Sequence, residues 1–227
     1  MRKLLREDLA KSNNKNAMFS QRWDLMTIVE PKTQANKDLK GRNIAEVSAQ
    51  RGTDPLDTFL DLMVEESLDM VFVLAEINVD PQAVSEILSS PYTVVGLSDG
   101  GAHVQFDSGV SFSTRLLGYW VREKNIMSLE SAVQQITFNS ASAFGIYDRG
   151  LLRPGMAADL AIWDEQSISP VTEDIVHDFP NNGWRIRERA EGIAYTIVNG
   201  EVLIEDGKHT GALPGRVIRN ALHPENS

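Results

Sequence analysis

An acidic residue directly follows an apolar run in the stretch YTVVGLSDGGAH, residues 92–103. In parallel α/β sheets, functional side chains sit just past the carboxyl ends of strands, and the pattern places Asp99 at such an end. Gly100 and Gly101 allow the backbone to turn sharply beside the carboxylate. A carboxylate there can bind a metal or take a proton from a metal-bound water, and His103 could hydrogen-bond a substrate carbonyl or anion. The spacing therefore favours Asp99 and His103 as catalytic candidates. The alternative is a turn in which Asp99 bonds its own backbone, beside a structural histidine.

Metal ligands other than Asp99 are scarce in the chain. A catalytic zinc needs three protein ligands in one site. The sequence has no cysteine and four histidines, of which His103 is the first. The other three, His177, His209 and His223, lack ligand spacing, and we interpret them as structural or exposed. We therefore expect this chain to hold a metal poorly on its own.

The elements that position Asp99 read as alternating helices and strands. Asp54-Pro55 and Asp80-Pro81 are typical helix starts, and MVFVLAEI (70–77) and YTVVGL (92–97) read as buried strands. This order predicts an α/β fold with a parallel sheet. Two helices follow, over about 111–123 and from Ser128 onward, where residues 129–136 place apolar side chains on one stripe.

The pattern changes after Gly145. Asn199-Gly200 suits a type I′ hairpin turn, and Glu205-Asp206-Gly207 makes a second reversal. We therefore predict two regions, an α/β region over 1–145 and short antiparallel β structure over 146–227.

Two sets of side chains invite a functional reading that we do not adopt. Tyr119 and Trp120 could stack on a substrate, but at helical spacing they are more typical of a core. The arginines 185, 187 and 189 alternate, so on a strand they line one solvated face, a weak signal for an anion patch.

Composition excludes several function classes. The net charge of −10 argues against a nucleic-acid binder, although residues 1–42 hold 10 Lys and Arg against 5 Asp and Glu. We interpret this basic segment as a solvated face that complements acidic neighbours. The sequence shows no apolar run of membrane-spanning length and no secretory signal, so we expect a cytoplasmic protein with no membrane partner.

Several stretches occur in an order that resembles one known family: VVGLSDGGAHV, SLESAVQQITFNSASAFGIYDRGLLRPGMAADLAIWD, DFPNNGWRI and GIAYTIVNGEVLIEDGK. Together they resemble the C-terminal half of the amidohydrolase superfamily, N-acyl-D-amino-acid deacylase (D-aminoacylase)-like branch. The resemblance implies a zinc-dependent hydrolase of amide C–N bonds with a (β/α)8 TIM barrel and a small β-sandwich. It also implies that Asp99 contacts the metal and shuttles a proton, that His103 contacts substrate, and that the substrate is an N-acyl amino acid or related amide.

The sequence departs from the family at one substrate contact. Near the place where the deacylase branch has a His-Pro-Arg whose arginine clamps the substrate carboxylate, this chain has Ser108. Serine cannot supply the bidentate geometry of a guanidinium. Ser108 is thus a substrate-binding candidate of a different kind. Arg115 matches a later family arginine that we interpret as structural.

Chain length limits what the resemblance implies. A whole TIM barrel takes about 250 residues before any sandwich is added, and this chain has 227. We therefore expect the C-terminal part of a barrel over 1–145, followed by a β-sandwich-type segment. On this interpretation the chain is a fragment, inactive alone, with zinc absent or weakly bound.

Two further functions stay open at this stage. Cut barrel edges expose unpaired strands and apolar faces, so the chain could be a non-catalytic interaction or folding module, paired with itself as a homo-oligomer or with a missing N-terminal half. Within the enzymes, hydantoinase-like cyclic-amide hydrolysis and deamination also fit SDGGAH.

Overall fold

The computed structural model describes residues 2–11, 21–75, 78–98, 100–101, 104–105 and 109–219. Contacts divide the chain into a first unit, Met1–Val84, and a second unit, Ser85–Ser227. The predicted boundary at residue 145 concerns a barrel-derived region and stays a prediction. In the part of the chain that is described, no helix has the length and apolar character needed to cross a bilayer.

The first unit contains helices α1 (Arg2–Lys11), α2 (Ile44–Arg51) and α3 (Pro55–Glu65), and strands β1 (Met26–Glu30) and β2 (Val71–Leu74). Short 3-10 helices lie at Trp23–Leu25 and Gln34–Leu39, and helix α4 (Pro81–Leu88) contains the boundary. The core of this unit is formed by buried apolar side chains of β1, α2, α3 and the residue before β2: Met26, Ile28, Ile44, Val47, Leu62 and Met70.

The helix starts predicted at Asp54-Pro55 and Asp80-Pro81 are confirmed, and a further cap lies at Asn43. Asn43 forms a reciprocal capping box with Glu46 at the start of α2, and Gly52, with φ of +64°, ends that helix. Asp54 accepts hydrogen bonds from the amides of Leu56 and Asp57 at the start of α3. These helix ends can be predicted from the local sequence because each capping hydrogen bond joins residues that are at most four positions apart.

The predicted parallel sheet is wrong for the described residues. β1 pairs with β2 in antiparallel register, with Met26 opposite Leu74 and Ile28 opposite Phe72. The stretch 92–97 forms no strand, although its sequence is strand-like. Both differences have the same physical reason. The strand propensity of a segment does not specify which strand it pairs with, because pairing is set by contacts distant in sequence.

The basic N-terminal segment complements acidic neighbours, as predicted. Arg2 forms ion pairs with Asp57 and Asp61 on α3, and Arg6 forms them with Asp54 and Asp57. Arg2 and Arg6 are therefore engaged within the first unit.

A buried carboxylate ties the end of α3 to the segment that follows β1. Glu66 is only 2% exposed. It accepts hydrogen bonds from the amides of Lys32 (2.5 Å) and Thr33 (3.0 Å), the Thr33 hydroxyl, and Nδ2 of Asn36 (2.7 Å). Its burial favours the neutral acid, but these donors outweigh that effect and lower the pKa of Glu66 to about 2.

The helical part of the second unit follows the predicted stripe. Helix α5 (Phe112–Arg115) continues as a π-helix over Leu116–Glu123; α6 (Leu129–Gln134) continues as a π-helix over Gln135–Asn139 and then as α7 (Ser140–Ala143). Leu116, Leu117 and Ala132 pack with Ile168 to form the core, and Trp120 packs against that core as predicted.

The β-rich part of the second unit forms two antiparallel sheets. Its strands are β3 Leu160–Trp163, β4 Ser169–Phe179, β5 Gly183–Glu191, β6 Ile193–Val198, β7 Glu201–Glu205 and β8 Lys208–His209, with a 3-10 turn at Pro180–Asn182. One sheet has the strand order β3–β6–β7–β8, and the other pairs β4 with β5. Antiparallel β structure after residue 145 is thus confirmed, and Asn199 and Gly200 both have the positive φ of a type I′ turn.

Gly118 and Gly192 pack directly against the backbone of Ile168 within the second unit. A Cβ at Gly118 would lie 2.4 Å from the Ile168 carbonyl oxygen, and one at Gly192 would lie 2.5 Å from the Ile168 nitrogen. Nη1 of Arg122 also donates to the Ile168 carbonyl at 2.7 Å. The helices and the β structure therefore meet at Ile168 with no room for a side chain at either glycine.

Candidate functional site

The three predicted site residues, Asp99, His103 and Ser108, lie outside the described residues. Their chemical roles stay predictions. The residues on either side of them are described, and these show how the chain enters and leaves the candidate site.

The segment that leads to Asp99 is fixed by helix α7. Ser140 Oγ donates to the carbonyl of Val95 at 2.7 Å, and Val95 also packs against the core of the second unit. A Cβ at Gly96 would lie 3.5 Å from the same Ser140 oxygen, so the segment rests directly on the helix end. This contact cannot be predicted from the sequence, because Ser140 lies in a run of small residues that any exposed helix end could carry.

The turn after the segment uses Ser98 and a left-handed glycine. The amide of Gly100 donates to Ser98 Oγ at 3.3 Å. Gly101 has φ of +92°, a conformation that only glycine adopts at little cost. A sharp turn at this position agrees with the sequence analysis.

The segment that leaves the site is held by strand β5. The amide of Ile186 donates to the carbonyl of Val104 at 2.8 Å, and Nε2 of Gln105 donates to the carbonyl of Trp184 at 3.1 Å. Further along, the amide of Ser111 donates to Glu188 Oε2 at 2.9 Å. Residues on both sides of Ser108 in sequence are therefore anchored to the same strand. The sequence does not single out Glu188 as a positioning residue, because an acidic residue between two arginines is typical of an exposed strand face.

Two of the three alternating arginines of β5 each pair with an aspartate of β4, and Arg189 shares one of these aspartates, with its Nη2 3.7 Å from Asp174. Arg185 makes two hydrogen bonds to Asp178, both 2.8 Å, and Arg187 makes two to Asp174, at 3.0 and 2.6 Å. The hydrogen bonds from Arg187 and Arg185 lower the pKa values of the Asp174 and Asp178 carboxyls. This ladder of ion pairs stabilises the β4–β5 ribbon on its polar face.

The remaining aromatic and histidine candidates are structural. The guanidinium of Arg115 lies 5.2 Å from the ring centroid of Tyr119, which supports its interpretation as structural. His177 and His209 are both exposed; His177 Nδ1 lies 3.1 Å from the Asn182 carbonyl oxygen, and His209 Nδ1 accepts from the Gly211 amide. His223 lies outside the described residues.

The donor set does not fit a complete zinc site. Among the residues that the structure describes, no three His, Cys, Asp or Glu side chains are grouped so that they could hold a metal. Outside the described residues, the sequence adds Asp99, His103 and Asp107 around the candidate turn. Only one of these three is a histidine, whereas catalytic zinc sites take at least two of their three protein ligands from histidine or cysteine.

A family model described as the amidohydrolase family matches residues 7–204. The D-aminoacylase of Alcaligenes xylosoxydans xylosoxydans is 30% identical over 183 residues, which cover 80% of this chain and 34% of that protein. The N-acyl-D-aspartate deacylase of the same organism is 32% identical over 182 residues, covering 78% of this chain and 33% of its own length.

A solved structure of an N-acyl-D-glutamate deacylase from Bordetella bronchiseptica, in complex with zinc and a phosphonate inhibitor, is 25% identical. It covers 81% of this chain and 35% of that chain, with a TM-score of 0.46. The chain thus spans about a third of the length of the curated relatives it matches.

Proposed function

Because this chain belongs to the amidohydrolase family, we propose that it serves the hydrolysis of amide C–N bonds in N-acyl amino acids or related small amides. The observation that carries this proposal is the match over residues 7–204 together with 30% and 32% identity to two deacylases. In the same proposal, the chain contributes the C-terminal part of a TIM barrel and a β-sandwich-type segment.

Asp99 supplies the carboxylate of the hydrolytic site in this proposal, as metal ligand and acid–base group. His103 and Ser108 contact substrate. The anchoring of the flanking segments by Ser140 and by strand β5 supports the assignment, because acid–base groups work only when held within hydrogen-bond reach of the reacting atoms. Ser108 offers one hydroxyl, so it suits a substrate whose carboxylate is not clamped from this position.

The chain does not carry the reaction alone in this proposal, since its donor set offers too few histidines for a zinc site. The missing imidazoles come from another polypeptide, either a second copy or the N-terminal portion of a related enzyme.

Metal analysis and a hydrolysis assay test this proposal. The purified chain is expected to hold less than one zinc per chain and to leave an N-acetyl-D-amino acid intact. Mixed with the portion of the Alcaligenes D-aminoacylase that precedes the matched region, it is expected to restore hydrolysis. Asp99→Asn abolishes that hydrolysis, whereas Asp69→Asn, an exposed aspartate of the first unit, leaves it unchanged.

Two outcomes contradict the proposal. Tight zinc and hydrolysis by the purified chain unaided would overturn the requirement for a second polypeptide. Hydrolysis that is insensitive to Asp99→Asn would remove Asp99 from the site.

A second candidate function is a non-catalytic module that binds another chain. It is favoured by large apolar side chains that the second unit leaves exposed, among them Tyr92 at 94% and Leu97 at 87%. Stable association with the N-terminal portion without any hydrolysis supports this function over the first.

A further inference from the structure

Helix α1 is attached to the first unit with little apolar burial. Of its side chains whose burial is described, residues 2–10, none is buried; Leu9 is half-buried, and Leu4 and Leu5 are 64% and 39% exposed. The buried core side chains of this unit lie in other elements, between Met26 and Met70. Packing of an apolar face stabilises most helices in folded proteins, so the attachment of α1 requires another source.

Two arginines on one face of α1 meet three aspartates on one face of α3. Arg2 and Arg6 are four positions apart, and Asp54, Asp57 and Asp61 have the i, i+3, i+7 spacing of a helix face. Arg2 pairs with Asp57 at 3.4 Å and also with Asp61. Arg6 pairs with Asp54 at 3.2 Å and with Asp57 at 2.6 Å. Because both arginines share Asp57, the four ion pairs form one network.

The C-terminal end of α1 is held by a different kind of bond. Gln21 Nε2 donates to the carbonyl of Leu9 at 2.9 Å. This bond joins two neutral groups, whereas the bonds from Arg2 and Arg6 to α3 join full charges. Salt therefore weakens the attachment of the N-terminal half of α1 more than it weakens the bond at Leu9.

The ion pairs between α1 and α3 are accessible to salt. The Arg2 and Arg6 side chains are 44% and 45% exposed. Attraction between exposed charges extends over about 30 Å at 0.01 M salt but over only about 3 Å at 1 M salt. At high salt the arginines and aspartates therefore lose most of their attraction. A helix of 10 residues is too short to persist in water without such contacts.

Helix α3 does not depend on α1 in the same way. It buries Leu56, Thr58 and Leu62, and Asp54 caps its first amides. Departure of the arginines leaves three carboxylates on one face of α3, but the salt that releases α1 also screens the repulsion between those carboxylates. We therefore expect α3 to stay in place when α1 is released.

We propose that α1 is attached by an ion-pair latch, formed by Arg2 and Arg6 on α1 and by Asp54, Asp57 and Asp61 on α3. The latch is closed at low ionic strength and opens as the ionic strength rises, while the C-terminal end of α1 stays near Gln21. Opening uncovers the acidic face of α3 and frees two guanidinium groups. The latch is independent of the hydrolysis proposed for Asp99.

The distance between two nitroxide labels tests the latch. Because the chain has no cysteine, labels attach only where cysteines are introduced. One labelled pair joins Leu4→Cys on α1 to Val64→Cys on α3, and both positions are exposed. The control pair joins the exposed Ala49→Cys on α2 to Val64→Cys and does not involve α1.

Double electron–electron resonance is measured on the full chain, diluted with unlabelled chain so that only distances within one molecule contribute. For the α1–α3 pair we expect a distance distribution at least about twofold wider in about 1 M NaCl than in about 0.01 M NaCl. For the α2–α3 pair we expect the same distribution at both salt concentrations.

Substitutions separate ion pairing from packing. Arg2→Ala with Arg6→Ala is expected to give the wide α1–α3 distribution at both salt concentrations. Lys3→Ala is the matched control, because Lys3 is 89% exposed and its ion pair, at 4.0 Å, is with Glu7 of the same helix. It is expected to keep the narrow distribution at low salt.

Charge reversal provides a rescue. Arg2→Glu and Arg6→Glu, combined with Asp57→Arg and Asp61→Arg, restore three of the four ion pairs with opposite polarity and leave the cap at Asp54 intact. This chain is expected to recover the narrow α1–α3 distribution at low salt and to widen again at high salt.

Four results would overturn the proposal. An α1–α3 distribution that is equally narrow at both salt concentrations shows that packing holds α1. A narrow distribution in Arg2→Ala with Arg6→Ala removes the role of the arginines. Equal widening of the α2–α3 pair attributes the salt effect to general loosening of the first unit. A charge-reversed chain that stays wide at low salt removes charge complementarity as the cause.

Discussion

Glu66 joins two segments of the first unit through a single carboxylate. Four hydrogen bonds from Lys32, Thr33 and Asn36 converge on it, and it is almost fully buried. Glu66→Gln removes the charge and places an amide group where only acceptors fit. We expect a loss of about 2–3 kcal/mol in the free energy of unfolding, measured by urea denaturation. The matched change Glu65→Gln affects an exposed ion pair with Arg51 and is expected to cost less than about 1 kcal/mol.

The same carboxylate gives the first unit a pH dependence. Because the pKa of Glu66 is lowered from 4.5 to about 2 in the folded chain, its stabilisation is fully present above pH 4.5. It is lost as the pH falls from 4.5 towards 2, by roughly 3 kcal/mol in total. The protection factors of peptides from β1 and α3, which correct for the pH dependence of the intrinsic exchange rate, are expected to fall over this range in the unaltered chain and to fall less in Glu66→Gln. Equal profiles would show that Glu66 does not titrate this way.

At the same scale, the sequence predicts Asp99, His103 and Ser108 as site residues, which stays a prediction, but it does not predict the residues that hold the segments beside them. Asp99 is singled out by the sequence because it is an acidic residue between an apolar run and two glycines. Ser140 and Glu188 carry no such mark. Their role comes from contacts 45 and 77 residues away in sequence, which local pattern does not encode.

Gly118 shows how tightly the helical and β elements of the second unit meet. A Cβ at this position would lie 2.4 Å from the Ile168 carbonyl oxygen, which is a backbone atom and cannot rotate away. Gly118→Ala is therefore expected to destabilise the unit by about 1–3 kcal/mol in urea denaturation. Gly215→Ala, whose Cβ would meet nothing within 4 Å, is the control and is expected to be neutral.

Strand β5 acts as an anchor for the segment after the candidate site. Glu188→Ala leaves the Ser111 amide without its acceptor, so we expect hydrogen exchange at Ser111 to become about tenfold faster. Glu188→Gln keeps an acceptor oxygen and is expected to retain most of the protection. Glu191→Ala, an exposed change on the same strand, should leave Ser111 unaffected; an equal response there would point to general loosening of the strand.

At this scale the sequence predicted elements where the signal is local. The cap of α3, the helix start at Ser128 and the turn at Asn199-Gly200 all depend on bonds between near neighbours. The prediction of a parallel sheet was wrong because the strand that pairs with β2 is β1, which lies in a short apolar run of a polar segment. The two strands are more than 40 residues apart in sequence. The β4–β5 pairing was also not predicted, although its alternating arginines were recognised.

For the whole molecule, the exposed apolar surface of the second unit predicts self-association. Tyr92, Leu97 and Leu152 are 94%, 87% and 88% exposed, which is costly for side chains of this size in water. We expect light scattering at micromolar concentration to report a dimer or larger assembly. Leu97→Lys with Leu152→Lys should shift it towards the monomer, whereas Lys at the already polar Glu201 should not. A monomer in the unaltered chain would contradict this expectation.

The hairpin turn at Asn199-Gly200 affects how fast the polypeptide deamidates. Asn-Gly pairs lose ammonia when the glycine nitrogen attacks the asparagine amide carbon, and this chain has two such pairs. At Asn199 the amide is held by Arg149 and Pro214, and the Gly200 nitrogen already donates to Ala158. At Asn182, in the described β4–β5 turn, no such side-chain bonds occur. Mild alkaline incubation followed by peptide mass spectrometry is therefore expected to find isoaspartate at Asn182 well before Asn199. Deamidation of the chain thus begins at the turn between β4 and β5.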